Sequence, residues 1–204
     1  DVREEEPMDC GVAGVPERLK AMILKEGKVL PNGILKVDSF VNHQIYPALH
    51  MDIGRYLSDP FLGLGINKVL TLESSGIAPA FATALTLGVP MVFARKKKPI
   101  TMQEYWHESA PSHTKSGVVD IYVSKEVLSD RNVVLIVDDF LATGLSILAL
   151  ARIVQASGAK LAGIATVIEK TFEGGRELLM KSHQTHIHSA VRISRLSESA
   201  ISFE

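Results

Sequence analysis

The sequence predicts an α/β fold in which helices flank a central, mostly parallel sheet. Short aliphatic runs of strand length alternate along the chain with stretches of helical apolar spacing, and turn residues separate them. The strongest run, residues 133–137, is aliphatic throughout, which is typical of a strand covered on both faces. Strands that alternate with helices in this way favour right-handed βαβ units and therefore a parallel sheet.

Local sequence signals predict each element of the N-terminal half. Pro16 and Gly27 bracket a short helix, because proline suits the first turn of a helix and glycine its end. Residues 45–57 carry apolar residues at helical spacing, with Pro47 at an early position. The other predictions are a short strand or extended segment at 34–40, strands at 69–72 and 90–94, a turn at 73–76, and a helix at 77–87 closed by Gly88.

The C-terminal half continues the alternation. Strands are predicted at 118–123, 133–137, 161–168 and 187–193, and helices at 144–156 and 173–181. Residues 99–117, by contrast, include Pro99 and Pro111 and show no clear period. A stretch of this length without secondary structure is uncommon in a compact domain, so we expect it to form a flexible lid.

The composition limits the function classes. A chain of 204 residues can bury one sizeable core, and a net charge of −1 leaves no overall basic footprint for nucleic acid. Cys10 is the only cysteine, which excludes an internal disulfide and fits a reducing, cytoplasmic setting. No apolar stretch approaches the ~18 residues of a membrane span. Residues 1–15 are acidic rather than signal-like, and we expect them to be a disordered extension before a single domain at 16–204.

The strongest functional signal follows the apolar run at 133–137. Asp138 and Asp139 come directly after it, and residues 142–146 then open the next predicted helix. Ligands of open α/β sheets bind at the carboxyl ends of the strands, and a helix start offers unpaired N–H groups to an anion. Carboxylates for hydroxyls or Mg²⁺ beside such a cradle predict a sugar-phosphate site. The alternative is an ordinary turn capped by aspartate, but two acids in tandem before the full loop favour a site.

A second loop lies in the same kind of position, between a strand and a helix. Its backbone amides could hold another anion, although serine and glycine also suit a plain turn. The residues are Glu73, Ser74, Ser75 and Gly76.

Four consecutive cations, residues 95–98, follow the next strand. Such a cluster repels itself unless an anion lies nearby, so Arg95 and Lys96 are candidate anion ligands, whereas Lys97 and Lys98 also suit a solvated surface. His186 and His188 share one face of a predicted strand, but no third ligand is in view and no metal site is predicted.

The stretch 133–146 resembles the phosphoribosyl-diphosphate (PRPP) signature of the type I phosphoribosyltransferases. The resemblance implies that family's fold, with a small hood from about 16–45 and 160–204 over the sheet and a flexible lid loop. It also implies that Asp138 and Asp139 bind the ribose hydroxyls as the catalytic pair and that residues 73–76, Arg95 and Lys96 bind pyrophosphate. The residues implied for the 5′-phosphate are Ala142, Thr143, Gly144, Leu145 and Ser146.

Two further segments, residues 35–45 and 167–172, look close to the bacterial xanthine phosphoribosyltransferases. By this resemblance Leu35 and Asn42 line the purine pocket, and Lys170 meets the base from the other side. A lysine donor and an amide can satisfy the carbonyl oxygens of xanthine, where the amino group of adenine would be left unpaired.

The resemblance leaves alternatives open. The sequence Ala142-Thr143-Gly144 is equally at home in adenine phosphoribosyltransferases, whereas hypoxanthine–guanine enzymes usually carry an acid at the first of these positions. Some transcription regulators keep the PRPP site without catalysis, but they commonly lose the cations corresponding to Arg95 and Lys96 and add a DNA-binding segment, which is not seen here. We therefore expect an enzyme that uses PRPP, xanthine and Mg²⁺ held mainly through PRPP, as a homodimer without nucleic-acid or membrane partners.

Overall fold

A computed structural model of the chain describes residues 11–111, 117–197 and 200–204. Most of the expected N-terminal extension and residues 112–116 of the expected lid lie outside the described residues. A 3-10 turn covers Val12–Gly14 just before the first helix. The helices are α1 (Val15–Glu26), α2 (Pro47–Ser58), α3 (Ile77–Leu87), α4 (Leu145–Ala156) and α5 (Gly175–His183). No described helix combines the length and apolarity that crossing a membrane requires.

The main sheet has six strands in the order β10-β9-β8-β7-β3-β4 once the strands are numbered along the chain. Only β10 runs antiparallel to its neighbour. Its strands are β3 (Lys68–Leu72), β4 (Met91–Ala94), β7 (Val133–Leu141), β8 (Lys160–Lys170), β9 (Ile187–Ser197) and β10 (Ala200–Phe203). Two antiparallel hairpins complete the fold: β1 (Lys28–Leu30) with β2 (Ile34–Lys36), and β5 (Tyr105–Pro111) with β6 (Val118–Ser124).

The aliphatic run of β7 lies between two hydrophobic cores, as its composition predicts. Leu135 and Val137 pack with α1, α2 and α3 on one face of the sheet. Val134 and Ile136 pack with α4, α5 and the β5–β6 hairpin on the other. Because successive side chains of a strand point to opposite faces, a continuous aliphatic run serves both cores at once. The α/β fold with a mostly parallel sheet is therefore confirmed.

β3 and β7 are adjacent and parallel, but the strands that follow them in the chain are added on opposite sides of this pair. The connection after β3 leads through α3 to β4 on one side, and that after β7 leads through α4 to β8 on the other. The loops after these two adjacent parallel strands therefore diverge and leave a crevice at their carboxyl ends. Such a switch point is where open α/β sheets bind ligands.

Two predictions of local structure are wrong. The extended segment predicted at 34–40 ends at Lys36, and a π-helical turn follows at Asp38–Asn42. The segment predicted to be irregular contains β5, which pairs along its whole length with β6. The indole of Trp106 also donates a hydrogen bond to the carbonyl of Leu128 (3.1 Å). Pairing with a distant strand decides the conformation where the local pattern is weak.

Candidate functional site

A cavity of about 480 Å³ opens at the crevice between the ends of β3 and β7. The part of it predicted to bind a sugar phosphate contains Asp138 and Asp139 from the end of β7, together with residues from the two loops that follow β7 and β3. The loop residues that line it are Ala142, Gly144, Ser146, Glu73 and Ser75, and Lys96 lies beside them. The structure thus brings together three segments that are separate in the sequence.

Another part of the lining contains the three residues predicted for the purine, Leu35, Asn42 and Lys170. They come from the β1–β2 hairpin, the π-helical turn and the end of β8, respectively. Phe140 and Glu173 also line the cavity, beside Lys170, and were not predicted. The available signals were the aromatic residue directly after the acidic pair and the i,i+3 spacing of opposite charges at Lys170 and Glu173.

Five predicted site residues do not belong to this lining. Ser74 instead lines a neighbouring apolar cavity of about 490 Å³, which Asn42 and Ser75 also touch. Gly76 lies where a side chain would collide with Thr71 and with the carboxylate of Asp138, so the loop after β3 comes close to the acidic pair through bare backbone. The remaining three are Arg95, Thr143 and Leu145.

The two aspartates are almost fully buried, with 8% of Asp138 and 6% of Asp139 exposed. The backbone N–H of Asp139 donates to Oδ1 of Asp138 at 2.9 Å. Burial and the adjacent charge of Asp139 nevertheless raise the pKa of Asp138 well above its usual range. A ligand that donates hydrogen bonds to this pair, or that brings positive charge close to it, would therefore stabilise its charged form.

Asp139 connects the two sides of the cavity. Its Oδ2 accepts a hydrogen bond from the side-chain amide of Asn42 (2.9 Å), and its Oδ1 accepts one from the hydroxyl of Ser75 (3.0 Å). Asn42 therefore links the predicted purine pocket to the acidic pair. This contact spans 97 positions of the sequence.

The loop after β7 is shaped by two glycines from different segments. Gly144 has a φ of 77°, a left-handed conformation that favours glycine, and α4 begins directly after it. A side chain on Gly144 would meet the backbone of Gly175, with its Cβ 3.0 Å from Cα. The N–H of Gly175 also donates to the carbonyl of Ala142 (3.1 Å). The loop thus rests against the start of α5, while the first-turn amides of α4 remain available to an anion.

Glu73 holds the start of the cation cluster. One oxygen of its carboxylate accepts from the backbone N–H of Lys96 (2.6 Å), and the other pairs with Nε of Arg95 (2.8 Å). The backbone of Arg95 also pairs with that of Tyr122 in β6. The ion pair of Glu73 and Arg95 is therefore connected to the β5–β6 hairpin. Lys96 lines the cavity, whereas Lys97 is exposed at the surface.

Lys170 is held in the cavity lining by two acceptors. Its Nζ donates to the carbonyl of Gly33 (2.9 Å) and to Oε1 of Glu173 (3.2 Å), and it lies 6.0 Å from the ring centre of Phe140. An ammonium group has three N–H donors, so one remains for a ligand. His186 and His188 do not line this cavity and instead pack against Phe61 and Tyr56, respectively. No cluster of three potential metal ligands occurs within the described ranges.

Comparisons with known proteins agree with this geometry. A family model described as "Phosphoribosyl transferase domain" matches residues 42–193. The chain is 47% identical over 186 residues to a protein of Listeria innocua named xanthine phosphoribosyltransferase, covering 91% of this chain and 96% of that one. A Deinococcus deserti protein of the same name is 48% identical over 177 residues, covering 86% and 91%.

Solved structures extend the comparison to the fold. An adenine phosphoribosyltransferase from Rhodothermus marinus superposes with a TM-score of 0.73 at 27% identity, covering 88% of this chain and 99% of that one. The enzyme of the same name from Saccharomyces cerevisiae gives a TM-score of 0.70 at 25% identity, covering 87% and 99%.

The raised pKa of Asp138 predicts an unusual dependence of stability on pH. Above the ordinary aspartate pKa, about 3.9 in an unfolded chain, the folded protein binds this proton more tightly than the unfolded one. This contribution to the free energy of unfolding therefore falls as pH rises, until the folded pKa is passed. Asp138→Asn should remove that fall and stabilise the protein by about 1 kcal/mol at neutral pH.

Urea denaturation of the wild type and Asp138→Asn across a pH series measures this effect. The exposed variant Asp130→Asn, which relieves no buried charge, serves as the control and should follow the wild type. An Asp138→Asn protein with the same pH dependence as the wild type would contradict the assignment.

Proposed function

The chain belongs to the phosphoribosyltransferase family, and we propose that it transfers the phosphoribosyl group of PRPP to xanthine. The products would be xanthosine 5′-monophosphate and pyrophosphate, in a purine salvage reaction. The observation that carries the proposal is one cavity with a buried pair of carboxylates and a helix-start loop on one side and a lysine donor on the other.

The sugar-phosphate side fits the ribose 5-phosphate part of PRPP. The proposed ligands of the 2′ and 3′ hydroxyls are Asp138 and Asp139, because hydroxyl donors would satisfy carboxylates that are costly to bury alone. The 5′-phosphate would lie against the loop at 142–146, where backbone amides and the dipole of α4 favour negative charge.

The pyrophosphate group would lie near the loop at 73–76 and the cations after β4. Lys96 is the proposed direct ligand, because it lines the cavity. Arg95 and Glu73 form an ion pair at the edge of this region, so we propose that Glu73 acts by holding the backbone of Lys96 rather than by touching an anion. Fixed cations at a departing anion are a large catalytic contribution.

The purine side supports xanthine over adenine. Lys170 donates two of its N–H groups to Gly33 and Glu173. Its remaining N–H can donate to a carbonyl oxygen of xanthine, which is an acceptor. Phe140 beside it offers an aromatic face against which a purine could stack. Adenine phosphoribosyltransferase remains the second candidate, because the superposed solved structures carry that name.

Magnesium is the proposed cofactor, bound mainly through PRPP. The cavity fits this use, because it provides oxygen donors from Asp138 and Asp139, while the carboxylate of Glu73 is already engaged. The ion would neutralise charge on the diphosphate. Catalysis by the protein is then a matter of position. The ribose is held while its C1–pyrophosphate bond loosens towards an oxocarbenium-like state. N9 of the purine attacks C1 from the opposite face, pyrophosphate leaves, and the proton of the purine nitrogen passes to solvent.

The remaining parts of the proposal concern assembly and location. A homodimer is supported by an apolar surface on α3, where Phe81 is 60% and Leu85 56% exposed. We propose that the β1–β2 hairpin belongs to a hood over the purine side, since Lys170 donates to Gly33 within it. A cytoplasmic location follows from the proposed substrates, which are intracellular metabolites.

Pyrophosphate release from PRPP, Mg²⁺ and each purine base in turn tests the proposal. Release should be fastest with xanthine, and Asp138→Asn/Asp139→Asn should slow it by at least about 100-fold while circular dichroism shows an intact fold. A preference for adenine would favour the second candidate instead. Binding of PRPP without release from any base would indicate a non-catalytic regulator.

Lys170→Met tests the purine assignment separately. Losing the donor leaves a carbonyl of xanthine unpaired, so kcat/KM for xanthine should fall by about 100-fold, while KM for PRPP stays within about threefold. Lys25→Met, at an exposed lysine of α1 outside the cavity lining, is the control and should leave both values unchanged. An equal effect on both substrates, or none on xanthine, would contradict a role in base recognition.

A further inference from the structure

A buried ion pair lies behind the loop at 142–146 and has no part in the proposed chemistry. Glu169, near the end of β8, is only 1% exposed. Arg176 of α5 donates to both of its carboxylate oxygens, from Nε at 2.7 Å and from Nη2 at 2.6 Å. The hydroxyl of Ser189 adds a third hydrogen bond at 2.7 Å. Planar, bidentate pairs of this kind fix geometry as well as charge.

The pair anchors the first turn of α5 to two strands. Besides Glu169 on β8, Arg176 donates from Nη1 to the backbone carbonyl of Ile187 on β9 (3.0 Å). Burial alone raises the pKa of Glu169, but the hydrogen bonds from Arg176 and Ser189 and the neighbouring positive charges outweigh it and lower the pKa overall. The carboxylate is therefore charged and fully engaged, as a buried charge must be.

One residue connects this anchor to the loop. Gly175, directly before Arg176, donates its N–H to the carbonyl of Ala142 at 3.1 Å. Its backbone also fills the space next to Gly144, and a Cβ on Gly175 would collide with the carbonyl of Ala142 and the N–H of Gly144. Arg176 is thus connected to the loop through its chain neighbour Gly175.

We propose that Arg176, clamped by Glu169, is a positioning residue that sets the opening of the 5′-phosphate loop. This inference rests on the proposed function, because it takes the loop at 142–146 as the 5′-phosphate site. Loosening Arg176 should lower the affinity for ligands that carry a 5′-phosphate. The affinity for pyrophosphate should not change, since the proposed pyrophosphate site lies on the other loop, at 73–76.

Calorimetric titration with two probes, ribose 5-phosphate and magnesium pyrophosphate, tests this claim. Arg176→Gln should bind ribose 5-phosphate about tenfold more weakly than the wild type, with Arg176→Lys in between, because lysine keeps the charge but not the bidentate geometry. Pyrophosphate affinity should stay within about twofold in both. The matched control is Arg18→Gln. It breaks the ion pair between Arg18 of α1 and Asp52 of α2 (3.2 Å), whose side chains are also mostly buried.

Gly175→Ala provides an independent test with Arg176 intact. Its added Cβ displaces the loop directly, and it should show the same selective loss of ribose 5-phosphate affinity, even if Arg176→Gln proves too unstable to titrate. Unchanged ribose 5-phosphate binding in these variants would overturn the inference, as would equal losses for both probes, which indicate general loosening. Failure of the wild type to bind ribose 5-phosphate would overturn the proposed function and this inference with it.

Discussion

The burial of two adjacent carboxylates at the end of β7 is the constraint on which the site depends. Asp138 and Asp139 repel each other and lose contact with water, and the fold offsets this with few groups: a backbone N–H, the hydroxyl of Ser75 and the amide of Asn42. The pair is thus stabilised only in part when no ligand is bound. Such local instability is typical of sites whose remaining partners are supplied by a substrate.

The topology explains why these acids meet the other parts of the site. Because β3 and β7 are adjacent and parallel, their following loops emerge at the same edge of the sheet and diverge around the crevice. The end of β8, next to β7, adds Lys170 and Glu169. Lys170 lines the cavity, and Glu169 anchors α5 behind the loop that follows β7.

Sequence patterns predicted the parts of the protein that local chemistry decides. The helix Ile77–Leu87 and its closure at Gly88 match the prediction, since apolar spacing and a left-handed glycine are local properties. The aliphatic run of β7 and the two aspartates that follow it were equally predictable from the sequence. Contacts between distant segments were not: the hydrogen bond of Asn42 with Asp139, the pairing of β5 with β6 and the packing of Gly175 on Gly144 depend on the folded chain.

The central claim is that the acidic pair and the adjacent loop hold the two ends of one ribose 5-phosphate unit. A crystal structure of the protein with PRPP and Mg²⁺ bound is its most direct test. In that structure the ribose hydroxyls should lie within hydrogen-bonding distance of the carboxylates of Asp138 and Asp139, and a phosphate should lie against the amides of residues 142–146. A PRPP molecule bound elsewhere, or bound here with its 5′-phosphate away from this loop, would contradict it.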